Sequence, residues 1–198
     1  MLGEGAEDIW AMTFHAACCR ILRKYIDRMG YTSSFTIYDT SDSERLMKEI
    51  LKDLGLDDKT FPPRYVLSII GRQKDRLISP EQMLEDSRGA SDLRIVQIAK
   101  VYGIYQKRLK DNNALDFDDL LLMMVRLLRE QPAIREIYNS RFRYILIDEY
   151  QDTNHLQYLL MKLLAGEHEN VHVTGDPQPP VVFPGDLREH FAGDGAEV

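Results

Sequence analysis

The sequence is short of several things, and each shortage removes a class of explanation. Its 198 residues contain two cysteines and one tryptophan. The cysteines, Cys18 and Cys19, are adjacent inside an apolar helical pattern, where a vicinal bridge is strained; no disulfide framework or cysteine-based metal site follows. No apolar run reaches the roughly 18 residues that suggest a membrane span. The first residues include Glu4, Glu7 and Asp8 and lack the basic start of a secretory signal, so a cytoplasmic location is expected. A basic surplus is missing too: the formal net charge is −7. A protein that coats nucleic acid through bulk electrostatics is thereby excluded, and any such contact must be confined to a local basic patch. Finally, no Gly-x-x-x-x-Gly-Lys-Thr loop occurs in the chain, so a backbone cradle for a triphosphate is lacking.

What is present is a foldable composition, 44% hydrophobic and 29% charged, as in soluble folded chains. A short apolar stretch at Trp10 to Thr13 predicts a strand. It runs into Phe14 and His15, after which Cys18, Leu22, Tyr25, Ile26 and Met29 recur at helical spacing until Gly30. Ser41 with Glu44 fits a capping box for a helix carrying Leu46, Met47, Ile50, Leu51 and Leu54, closed by Gly55. Further helices are predicted from Pro63 to about Leu77, Pro80 to about Asp86, and Asp92 to about Lys110, which makes the middle of the chain all-helical. Asp116 can cap a helix from Phe117 to about Glu130. That segment is apolar on nearly every side and is expected to lie buried beside a sheet. Arg143 to Ile147 and Asn170 to Thr174 read as strands flanking a helix, which implies a parallel crossover. After Asp176, prolines and glycines accumulate and no element is predicted.

The strongest chemical signal is Tyr144-Ile145-Leu146-Ile147-Asp148-Glu149-Tyr150-Gln151-Asp152-Thr153, an apolar strand delivering two adjacent acids to its carboxyl end. In open parallel sheets that edge is where ligands bind. One acid can hold a magnesium ion on the terminal phosphates of a nucleotide while its neighbour orients the attacking water. The same residues also fit a turn that caps the next helix.

This stretch is similar to motif II of the UvrD/PcrA/Rep group of superfamily 1 DNA helicases. The resemblance implies that Asp148 is the magnesium ligand and Glu149 the general base, with Gln151 and Asp152 near the nucleotide. Two other segments agree with it. Thr13-Phe14-His15 is similar to the family's Thr-Phe-His segment on the single-stranded DNA path, where a hydroxyl, an imidazole and backbone amides can bind phosphates; a core histidine beside a helix cap explains the tripeptide equally. Leu115-Asp116-Phe117-Asp118-Asp119-Leu120-Leu121 matches an Asp-Phe-Asp-Asp-Leu segment, whose acids also suit the start of a helix dipole. Residues 30–112 resemble the helical 1B subdomain, and within them Arg72, Lys74 and Arg76 are candidate contacts to duplex phosphates. A solvated helix face is the other reading of that charge cluster.

The chain departs from the family near its end. Val173-Thr174-Gly175-Asp176-Pro177-Gln178 starts like motif III but is short by one position, so Gln178 matches the nucleotide-sensing glutamine only across a gap. The resemblance therefore implies an α/β, predominantly helical fold: a partial RecA-like parallel sheet with an inserted all-α subdomain. The expected division is 1–29 and 113–198 in the RecA-like domain, the latter with motif II and a degenerate motif III, and 30–112 in the insertion. The intact parent is expected to be an ATP-dependent 3′-to-5′ helicase using Mg2+ and ATP and acting on DNA junctions. The chain itself, starting after the first two motifs and without the second RecA-like domain, is expected to bind neither cofactor, to bind DNA weakly or not at all, and not to turn over. A non-catalytic DNA- or partner-binding module is the alternative.

Overall fold

The computed structural model describes residues 9–89, 92–148 and 153–175. Among them are eight α-helices and four short strands. Helix α1 spans Phe14–Tyr25 and continues as a 3-10 turn, Ile26–Met29, that ends where Gly30 takes φ 74°. There follow β1 (Thr36–Ile37), α2 (Thr40–Asp53), α3 (Pro63–Asp75), α4 (Pro80–Asp86), α5 (Leu93–Asp111), β2 (Ala114–Leu115), α6 (Phe117–Glu130), α7 (Pro132–Arg141), β3 (Ile145–Ile147), α8 (His155–Ala165) and β4 (Val171–Val173). No helix among the described residues is long and apolar enough to cross a membrane.

Side-chain caps explain most of the helix starts. Asp116 accepts from the Asp119 amide at 2.8 Å and Asp119 returns a carboxylate to the Asp116 amide at 3.3 Å, a reciprocal box that satisfies two otherwise orphaned donors. Helix α2 differs from expectation: it starts two residues before the predicted Ser41 box, because the Asp39 carboxylate accepts from Asp42 N at 2.8 Å. The strand expected at Trp10 to Thr13 is also not formed, since no described strand lies beside it to complete a ladder.

Two parallel pairs make up the sheet structure. Thr36 and Ile37 pair with Ala114 and Leu115, while Ile145, Leu146 and Ile147 pair with Val171, His172 and Val173. The first pair corrects the all-helical reading of the middle of the chain, and the second is the predicted crossover around α8.

Burial divides the interior in two. Met47, Ile50 and Leu51 of α2, Val66 and Ile70 of α3, and Tyr102, Tyr105 and Leu109 of α5 form one apolar cluster. The other is built around α6, whose Leu120, Leu121, Met124, Val125, Leu127 and Leu128 pack against Ile21, Leu22 and Ile26 on one side and Leu156 and Leu160 on another. Each such side chain contributes roughly 1.5–3 kcal/mol by leaving water. The principal neighbours of α6 are the helices α1, α3, α7 and α8 rather than the expected sheet. A small third cluster, Ile147, Tyr158 and Met161, underlies β3.

Candidate functional site

Strand β3 carries the acidic segment to an edge. Its side chains alternate, so Ile147 is buried against Tyr158 and Met161 while Leu146 faces outward. Parallel pairing places the carboxyl ends of β3 and β4 side by side: Thr174 N donates to Ile147 O at 2.8 Å, and the Thr174 hydroxyl lies 2.6 Å from Asp148 Oδ1, donating to it. Asp148 is exposed at this strand end. It does not cap the next helix. Asn154 does so, accepting from Gln157 N at 2.9 Å while Gln157 Oε1 accepts from Asn154 N at 3.0 Å. Asp148 is therefore not the cap of α8, and its carboxylate lies at the carboxyl edge of a parallel pair, while the turn that would begin at Glu149 lies outside the described residues. Glu149, Gln151, Asp152 and Gln178 lie outside the described residues.

An exposed carboxylate beside a hydroxyl is a hard oxygen donor set of the kind Mg2+ accepts; that ion commonly takes only one or two protein carboxylates and completes its shell with water and phosphate oxygens. Asp148 fits that role. Among the described residues no group of three or more His, Cys, Asp or Glu side chains forms a self-sufficient metal cage.

The Thr13-Phe14-His15 segment forms the start of α1. Thr13 is the cap, its hydroxyl accepting from Ala16 N at 3.2 Å. Phe14 is half-buried and packs against the apolar cluster beneath β3, so the beginning of α1 is anchored under the acidic strand. The His15 ring meets Phe117 edge-on, with centroids 5.7 Å apart. Burial lowers its pKa and Asp118 offsets this only in part, which leaves a neutral imidazole near neutral pH. Such a ring can exchange hydrogen bonds with a phosphate or base but adds no fixed positive charge.

On α3 the three candidate cations separate. Arg72 and Arg76 are exposed, and among the described residues neither has a carboxylate within salt-bridge distance. Lys74 contradicts its expected role as a phosphate contact: it is 0% exposed. Its ammonium donates to Asp116 Oδ2 at 2.6 Å and lies 2.9 Å from Asp119 Oδ1. Tyr105 OH donates to Asp116 Oδ2 at 3.0 Å and Gln106 Nε2 to Asp119 Oδ1 at 3.1 Å, completing a buried polar network. Burial alone would push the Lys74 ammonium down, but the two carboxylates overcome it and hold the group above its ordinary value. Burial and the nearby Asp116 raise Asp119 to about 6, whereas Asp116, despite its burial, is held below the usual carboxylate range by Lys74 and its hydrogen bonds. A lysine so enclosed cannot reach solvent phosphates; its role is to neutralise two acids at the start of α6.

Sequence reasoning thus missed the pairing of Asp116 and Asp119 with Lys74 and the part played by Thr174. The Asp-x-x-Asp spacing at a helix start signalled the capping box. Nothing local signalled the lysine.

Comparison with known proteins places the chain in a family. The family model described as UvrD/REP helicase N-terminal domain matches residues 1–179. The ATP-dependent DNA helicase PcrA of Bacillus subtilis is 45% identical over 176 residues, covering 89% of this chain and 23% of the relative. PcrA of Staphylococcus epidermidis is 43% identical and that of Staphylococcus aureus 42% identical over the same length, 24% of each relative. The chain spans about a quarter of the length of the curated relatives it matches.

Proposed function

The chain belongs to the UvrD/REP helicase N-terminal domain family, and from that premise we propose that it is the part of an ATP-dependent 3′-to-5′ DNA helicase motor of UvrD type that supplies the metal and water-activating carboxylates. The single observation that carries this reading is the exposed carboxylate of Asp148 at the carboxyl edge of β3, hydrogen-bonded to Thr174 and relieved of any capping duty. In the complete motor Asp148 would hold a magnesium ion, which would supply charge neutralisation at the terminal phosphates. Glu149 orients and deprotonates the attacking water. Gln151, Asp152 and Gln178 line the nucleotide side. Thr13, Phe14 and His15 lie on the single-stranded DNA path, while the exposed Arg72 and Arg76 contact duplex phosphates. Residues 1–29 and 113–198 form part of the RecA-like domain and 30–112 the 1B insertion, a division that the two apolar clusters support in the main, with Tyr31 and Phe35 packing in the α6 cluster and Ala114 in the other.

No Gly-x-x-x-x-Gly-Lys-Thr loop lies within these 198 residues, so the chain alone does not hydrolyse ATP: both the lysine and the backbone cradle of the triphosphate must come from elsewhere. Phosphate release by the purified chain, with and without single-stranded DNA, tests this. The expected result is no DNA-stimulated turnover, and turnover that disappears in Glu149→Gln would overturn it. The exposed arginines favour a second, compatible reading, that the chain retains non-catalytic DNA binding. Salt-dependent binding of a duplex–single-strand junction that weakens in the Arg72→Ala/Arg76→Ala variant is its signature.

A further inference from the structure

The final turn of α3 has two faces. Arg72 and its C-cap Arg76, four residues apart, share the exposed side. The opposite side is buried, continuing the face by which Val66 and Ile70 enter the apolar cluster shared with α2 and α5. There, Gly71 runs so close to α6 that a Cβ would stand 2.7 Å from Asp118 Oδ2, and Lys74 grips the Asp116–Asp119 capping box of α6. Asp75 reaches a different helix: its Oδ1 accepts from Leu156 N at 3.2 Å. With Asn154 bonded to the Gln157 amide, Asp75 provides a second acceptor for the first-turn donors of α8, supplied from a helix 81 positions earlier in the chain. Helix α8 is the next element after Asp148 among the described residues.

We propose that this turn is a relay, in which phosphate contact on Arg72 and Arg76 shifts α3 and the shift passes through Asp75 to the first turn of α8 and through Lys74 to the first turn of α6. The inference rests on the DNA-contact reading above. Asp75 and Lys74 are positioning residues here; neither touches nucleotide or DNA. The physical basis is that these contacts tie one helix to the starts of two others, the Asp75 carboxylate to Leu156 N at 3.2 Å and Lys74 to Asp116 and Asp119 at 2.6 and 2.9 Å, so a displacement of α3 is felt at both. Because coupling free energy is reciprocal, anything that orders the start of α8 must likewise alter the affinity of α3 for phosphates.

Hydrogen–deuterium exchange of the full 198-residue chain, with and without a duplex–single-strand junction, tests the relay. DNA is expected to slow exchange around residues 72–76 and, by about fivefold, in the first turn of α8. The α8 response should vanish in Asp75→Ala and persist in Asp75→Asn, whose amide oxygen still accepts from Leu156 N. Protection at 72–76 with no change at α8 in the wild-type chain overturns the relay while the DNA reading stands, and so does an α8 response that survives in Asp75→Ala. If DNA leaves α3 unprotected, the DNA reading and the relay fall together. Since the wild-type response decides by itself whether α3 and α8 are coupled, a variant that fails to fold does not shield the proposal.

Discussion

Two places in this molecule share one local plan and end in opposite chemistry. Strand β2 runs directly into Asp116 and strand β3 into Asp148, and each belongs to a parallel pair. Beyond β2 the acid turns inward, caps α6 and is enclosed with Asp119 around the fully buried Lys74. Beyond β3 the cap is delegated to Asn154 and the acid stays exposed, touched by the Thr174 hydroxyl. An acid at a strand end is therefore not a site on that account. What separates the two is burial and capping: Asp116 is enclosed, caps α6 and binds Lys74, whereas Asp148 is exposed and leaves the cap of α8 to Asn154.

The sharpest way to break this contrast is to remove the buried cation. Lys74→Met leaves two carboxylates enclosed without a counter-charge and should cost about 3–5 kcal/mol, read as the shift in a urea unfolding midpoint. A loss below about 1 kcal/mol, the usual range of exposed pairs, would erase the distinction. Next in size is an uncharged counterpart. Leu127→Ala, in the buried centre of α6, should lower stability by roughly 2–4 kcal/mol, while Leu146→Ala, on the outward face of β3, should leave the midpoint almost unchanged.

The third probe is pH. Asp119 titrates at about 6 in the folded chain against an ordinary 3.8, so the folded chain holds that proton more tightly than the unfolded chain. The corresponding stability is complete below the ordinary value and is lost as pH rises through 6. Between pH 4.5 and 6.5 the Asp119 contribution should fall by on the order of 2 kcal/mol, while His15, whose pKa is lowered by burial, works in the opposite sense. Asp119→Asn should flatten that slope; an unchanged slope would place the proton elsewhere. The smallest expected effect belongs to the exposed acid: Asp148→Asn should change the unfolding midpoint little, because the side chain is solvent-exposed and its amide oxygen still accepts from Thr174. A large destabilisation there would make Asp148 as structural as Asp116.

Much of this was legible in the sequence. Helices α3, α4, α5, α6 and α8 follow from apolar stripes bounded by capping residues, and β3 from an apolar run stopped by acids. Other features were not legible, for identifiable reasons. β1 and β2 are two residues each, too short to show alternation, and they exist because residues far apart in sequence meet. Helix α7 escaped notice because only Ile134 and Tyr138 of it are buried, which leaves a thin stripe. The cap of α2 shifted because Asp39 competes with Ser41 and a carboxylate wins. At the candidate site, Asp148 was read correctly as a strand-end acid, but Lys74 was grouped with Arg72 and Arg76 by neighbourhood alone. Its partner Asp116 stands 42 positions away, beyond the reach of any local charge pattern.

The pairing of β1 with β2 has one more consequence. Thr36 N donates to Asn113 O at 2.9 Å and Thr32 N to Asn113 Oδ1 at 2.9 Å, so the chain leaves for α2 and returns from α5 at strands about 4.8 Å apart. Entrance and exit of the whole helical excursion share a doorway. A different module with equally close ends could meet that threshold, but it would also have to supply a cation for Asp116 and Asp119 and an acceptor for Leu156 N, which the excursion now provides through Lys74 and Asp75.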